Sequence, residues 1–161
     1  MSHYYLDSSA IVKLYVAESG SRWIRQLASN LDITLYSSDL SIAEVAAAIA
    51  ILGRTGRISR PQQREALAEF YKHTTTRFLH LAVSRDTVRY AADLTQRYPL
   101  KGYDAVHLAT ALSLAEDLRA TGFFLTLVTG DEQIIRAAQS LDLPTANPFD
   151  YAHMDQAEAT Q

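Results

Sequence analysis

Short apolar runs alternate with helical patterns along the whole chain, and this alternation leaves few folds open. The runs at 4–6, 33–37, 78–83 and 123–128 are too short for helices and carry the Tyr, Phe, Ile, Val and Leu of buried strands. Between them the apolar residues recur at helical spacing, over 9–17, 21–29, 41–52, 62–74, 86–97, 104–120 and 131–141. Gly20, Gly53, a turn over 56–61 and Tyr98–Pro99 punctuate these stretches. Strands that alternate with helices predict an α/β fold, with a central, mainly parallel sheet of four to five short strands flanked by helices. Residues 143–146 are the candidate for the fifth, edge strand. No internal repeat or linker interrupts the pattern, so 1–151 is expected to be one domain. Residues 152–161 are small and polar and are expected to form a mobile tail.

Composition narrows the function. The 161 residues suffice for a sizeable core, and 48% are apolar, which excludes a disordered chain. Cysteine is absent, so there is no disulfide framework and no thiolate metal site. No secretory segment is visible, and no apolar run approaches the roughly 18 residues of a membrane span. These features fit a cytoplasmic protein without a membrane association. The net charge of −3 argues against broad electrostatic attraction to nucleic acid, though not against a local basic patch.

Four acids occupy a shared context. Asp7 ends the first strand and opens a helix in "YLDSSAIV", and Asp131 repeats this in "LVTGDEQII". Glu44 falls in the first turn of a helix in "SSDLSIAEVAAAI", and Asp104 starts the long helix in "LKGYDAVHLATAL". Each could be ordinary helix punctuation. Asp is a preferred N-cap, and Ser41-x-x-Glu44 and Thr129-x-x-Glu132 both have the form of a capping box. Capping does not explain why the acids come from segments that should meet at one sheet edge, where ligands of open α/β sheets bind. Two carboxylates about 5 Å apart repel by about 3 kcal/mol at an effective dielectric of 20. A cluster therefore needs protons or a cation. An oxygen-only donor set calls for Mg²⁺ or Mn²⁺, and such ions serve phosphodiester hydrolysis.

With these residues in place, the chain resembles the PIN-domain ribonucleases, most closely the VapC-type toxins of toxin–antitoxin pairs. The likeness runs from "YLDSSAIVKLY" through "SIAEVAAAI" and "GYDAVHLATAL" to "LVTGDEQIIRAA". It implies a PIN-like three-layer sandwich and a metal-dependent endoribonuclease. It matches Asp7, Glu44, Asp104 and Asp131 to the family's acidic quartet, with Asp7, Asp104 and Asp131 as metal ligands. Ser8 matches a small hydroxyl residue after the first acid, and Thr129 a hydroxyl two residues before the last. It further implies an RNA substrate, a homodimer, and inhibition by a cognate antitoxin lying on the helices around 41–74.

Other residues carry less. His107 lies on the same helix face as Asp104, yet "AVHLATAL" reads as the setting of a packed, hydrogen-bonded core histidine. Arg54, Arg57, Arg60 and Arg64 surround a turn, where solvent competes with RNA phosphates for them. Tyr4, Tyr5, Tyr15 and Tyr36 read as core. Two other functional readings stand beside the toxin. One keeps the fold as an RNA-processing enzyme or a silent binding module. The other is a receiver-type signalling domain, disfavoured because the first strand ends Asp7-Ser8-Ser9 rather than in paired acids.

Overall fold

The structure is a computed structural model that describes residues 2–158. Five strands form one sheet: β1 (Ser2–Leu6), β2 (Ile33–Ser38), β3 (Phe78–Leu81), β4 (Leu125–Val128) and β5 (Thr145–Ala146). Their spatial order is β3-β2-β1-β4-β5, and every pairing is parallel. Among the described residues seven α-helices cover it: α1 (Ser8–Tyr15), α2 (Ser21–Ser29), α3 (Leu40–Arg54), α4 (Arg60–Thr76), α5 (Arg85–Arg97), α6 (Gly102–Ala120) and α7 (Glu132–Gln139).

The period-two alternation of strand side chains divides the core in two. Leu6, Leu35, Phe78 and Val128 face one side and pack with Ile11, Ile24, Val45, Ile49 and Phe70 from α1 to α4. Tyr5, Tyr36, Leu125 and Leu127 face the other and pack with Leu94, Leu108, Ile134 and Ala138 from α5 to α7. The result is the expected three-layer sandwich. The strand order reverses direction at β1, between β2 and β4. In such sheets the C-terminal ends of the strands open a crevice at that point.

Several boundaries differ from expectation for local reasons. Phe123 and Phe124 stand outside β4, and Phe124 is 74% exposed, because strand pairing begins only at Leu125. The turn expected to reach Pro61 ends earlier. Ser59 caps α4 with Gln62 in a reciprocal capping box, and Pro61 fits the first turn, where its missing N–H costs nothing. The stretch expected as a mobile tail is helical over its described part. A 3-10 helix covers Pro148–Glu158, with Tyr151 stacked on Trp23 at 4.2 Å between ring centroids. Within that helix Asp155 accepts from the backbone N–H groups of Gly20 and Arg22, at 2.6 and 2.9 Å. Gly20 begins α2 without a cap of its own, so Asp155 supplies one from across the fold. Residues 159–161 lie outside the described residues.

Candidate active site

Asp7 is the first residue after β1, and its side chain is only 4% exposed. Oδ1 accepts from the Ala10 N–H at 2.9 Å and from the Ser9 hydroxyl at 2.7 Å. Oδ2 accepts from the hydroxyl of Thr129, which is itself fully buried. Asp7 is therefore a helix cap and also a bridge from β1 to the segment after β4. Thr129 Oγ1 in turn accepts from the Asp131 N–H at 3.1 Å, and Ser9 Oγ accepts from the Gly130 N–H at 3.3 Å. Two hydroxyls thus lock the loop that carries Asp131 onto the start of α1. Asp131 caps α7 through Oδ1, which accepts from Gln133 and Ile134.

Asp104 is not a cap. Lys101 stands at the N-cap of α6 and no side chain caps that helix, so Asp104 lies within the first turn. Burial pushes its carboxyl above the usual range. The negative charge of Asp131 and, more weakly, of Asp7 adds to this, while Lys101 offsets part of it. Asp7, Asp104 and Asp131 thus share one electrostatic neighbourhood at the switch point of the sheet.

Glu44 belongs to a second cluster beside the first. The expected Ser41–Glu44 capping box does not form, because α3 begins at Leu40 and places Glu44 one turn inside the helix. Ser41 is buried instead against Ser37. Glu44 Oε2 receives the Ser8 hydroxyl at 2.6 Å and His107 Nε2 at 2.6 Å. An ionised carboxylate only accepts, so the proton of this His107 contact is on Nε2. Nδ1 shares a hydrogen bond with the hydroxyl of buried Tyr5 at 2.8 Å. Burial pushes Glu44 up, but the hydrogen bonds from His107 and Ser8, with the His107 charge, outweigh it and hold the carboxyl below its usual range. Glu44 is ionised and fixed in orientation.

Among the described residues, no three His, Asp or Glu side chains form a ready-made cation chelate. The donors nevertheless suit a hard divalent ion in kind. They are carboxylate oxygens, and at Asp104 the charges of Asp131 and Asp7 add to the effect of burial.

The other candidates fall elsewhere. The second expected capping box also fails, since Asp131 takes the cap and Glu132 receives Asn147. Arg54, Arg57, Arg60 and Arg64 are all exposed, and ten helical residues put Arg54 about 15 Å along α3 from Glu44. Tyr5, Tyr15 and Tyr36 pack in the core. Sequence reasoning missed Ser9 as a hydrogen-bond partner of Asp7, while His107 is the buried, hydrogen-bonded histidine expected, with Glu44 and Tyr5 as its partners. The i, i+3 spacing from Asp104 was the available signal for His107. Nothing local distinguishes Ser9 from a helix-start serine.

A family model described as PIN domain matches residues 4–140. Ribonuclease VapC45 of Mycobacterium tuberculosis (strain CDC 1551 / Oshkosh) is 34% identical over 113 residues, covering 70% of this chain and 76% of that protein. Ribonuclease VapC46 of Mycobacterium tuberculosis (strain ATCC 25618 / H37Rv) is 34% identical over 148 residues, covering 92% and 99%. Among solved structures, a toxin–antitoxin complex from Klebsiella pneumoniae superposes with a TM-score of 0.57 at 16% identity, over 90% of this chain and 97% of that one.

Proposed function

The chain belongs to the PIN domain family, and from this premise we propose that it is a metal-dependent endoribonuclease, the toxin of a VapBC-type toxin–antitoxin pair. One observation carries the reading. Asp7, Asp104 and Asp131 come from three distant segments to one end of the sheet, where burial, with the charges of Asp131 and Asp7 added, raises the Asp104 carboxyl. Helix capping accounts for Asp7 and Asp131, but it accounts neither for Asp104 nor for the gathering.

In this reading Asp7, Asp104 and Asp131 hold Mg²⁺ or Mn²⁺. When bound, such an ion neutralises the carboxylates and supplies the charge stabilisation that phosphodiester hydrolysis requires. Thr129 and Ser9 keep the Asp7 carboxylate aimed. Ser8 and His107 keep Glu44 ionised, so that it can orient the attacking water and receive its proton. His107 is a positioning residue, linked through Tyr5 to the core.

The antitoxin partner is supported by the toxin–antitoxin complex that shares the fold. It would lie along the helices from α3 to α4 and set a basic side chain among the acids. A homodimer is supported by the apolar side chains left open on α5 and α6, Val88 and Tyr103, which are 49% and 64% exposed. A single-chain mass by light scattering at micromolar concentration would remove the dimer. The function is tested by cleavage of single-stranded RNA with added Mg²⁺ or Mn²⁺. Wild type should cleave, and Asp7→Asn, Asp104→Asn, Asp131→Asn and Glu44→Gln should not. Retained cleavage by all four would overturn the assignment.

A further inference from the structure

The wall of a cleft beside the acids is built by a segment that contributes no acid. This cleft, of about 400 Å³, is lined by Val12, Lys13, Glu18, Gly130, Asp131 and Phe149, with Ser9 and Ala48. Its volume suits a small organic group, and its walls are mostly apolar. One rim is Asp131 and another is Ser9, the residue that binds Asp7. Phe149 lies beyond the family match, which ends at residue 140.

The Phe149 ring is held in place from several sides. Lys13, only 3% exposed, places its ammonium 4.3 Å from the ring centroid. That ammonium is fixed by Glu18 at 3.1 Å and by the Ser19 carbonyl at 2.8 Å. On another side the ring edge sits over Gly130, where an added Cβ would come within 2.7 Å of Phe149 Cε2. The Phe149 N–H donates to Asn147 Oδ1 at 3.0 Å, and Asn147 reaches Glu132 on α7. The Tyr151–Trp23 stack and the Asp155 cap anchor the remainder of the 3-10 helix against α2. Despite these contacts Phe149 stays 48% exposed, although a large apolar ring gains by burial.

We propose that this cleft receives a nucleobase of the RNA next to the scissile phosphate, with the exposed part of the Phe149 ring as its stacking platform. The proposal rests on the nuclease reading. A nucleotide joins a planar, largely apolar base to a phosphate. The cleft joins a rigid aromatic wall to the acidic site in the same order. The Lys13 ammonium lines the same cleft, so a base stacked on the exposed part of the ring would also lie beside a cation. Single-stranded RNA is bound by splaying its bases onto such rings.

The test uses the full-length protein in EDTA and short single-stranded RNAs with 2-aminopurine at each position in turn. One position should be quenched on binding. Phe149→Leu should abolish that quench and weaken binding by about 5- to 150-fold, the effect of one lost base stack. Phe149→Trp should retain the quench. Gly130→Ala, which drives a methyl group into the ring, should reproduce the loss. An abasic nucleotide at the same position should weaken wild type but not Phe149→Leu. The proposal falls if Phe149→Leu binds and quenches like wild type, or if it weakens every RNA equally, abasic or not. It falls also if RNA leaves the cleft unperturbed while a partner peptide fills it. If wild type cleaves RNA but the quench ignores Phe149, the cleft assignment fails and the nuclease stands. If the Phe149-dependent quench appears but no RNA is cleaved with Mg²⁺ or Mn²⁺, the nuclease reading fails instead.

Discussion

Asp7 has two jobs, and paired substitutions separate them. Replacement by Ala removes the acceptor for the Ala10 N–H and strands the buried Thr129 hydroxyl. The lost cap costs about 0.5–2 kcal/mol, and a buried unsatisfied hydroxyl about 1–3 kcal/mol. Together these give about 1.5–5 kcal/mol, or a fall in Tm of roughly 3–20 °C for a chain of this size. Replacement by Asn keeps an oxygen for Ala10 and Ser9. It turns an N–H₂ toward Thr129 Oγ1, which must then redirect its own proton, at a cost of about 1 kcal/mol. Against this, one of the charges that raise Asp104 is gone. Asp7→Asn should therefore melt within about 1 kcal/mol of wild type in EDTA while its RNA cleavage falls by at least about 100-fold. Its Tm should also cease to rise with Mg²⁺, whereas wild type at 100 times Kd should gain about 2.7 kcal/mol. Melting curves with EDTA and with Mg²⁺, beside a cleavage assay, decide the matter. If Asp7→Asn melts as low as Asp7→Ala, the amide does not preserve the cap. If it cleaves like wild type, Asp7 is a cap and nothing more.

Asp104→Asn should melt above wild type at neutral pH in EDTA. An acid whose folded pKa is raised is favoured below its unfolded value of about 3.9 and loses that advantage as pH rises through the raised value, so the gap should close on acidification. A constant gap down to pH 3 would show that charge is not the cause. His107→Leu removes one partner of the buried Tyr5 hydroxyl, which keeps Thr110 and Ser38, and takes a donor from Glu44. It should lower stability by about 1–3 kcal/mol in chemical denaturation and shift the pH profile of cleavage upward as Glu44 loses what holds its pKa down. An unchanged profile would leave His107 a purely structural residue. Asp155→Ala should cost about 0.5–2 kcal/mol through the lost cap of α2. The N–H groups of Arg22 and Gly20 hold the Asp155 carboxyl below its usual range, so this contribution is present above the unfolded pKa and fades as pH falls through the lower folded value. Equal melting of the two proteins at pH 7 would refute the cap.

The alternation of strand runs and helical faces determined the fold class, because side-chain period is a local property that any α/β packing must respect. The four acids were legible too, since each adjoins a strand end or a helix start and those ends share one edge in a parallel sheet. The same local pattern could not tell a cap from a ligand. Asp7 and Asp131 do cap helices, while Asp104 and Glu44 do not, because α6 begins at Gly102 and α3 at Leu40. Those starts are set by packing rather than by the boxes the sequence spells. Tertiary structure alone decided the remaining features. Thr129 meets Asp7 across 122 residues, His107 meets Glu44 across 63, and Asp155 caps a helix 133 residues before it. A polar stretch such as 152–158 carries no periodic signal of its own. Its helix depends on partners far back in the chain, Trp23 and the uncapped start of α2, and through it the Phe149 ring reaches the edge of the acidic site.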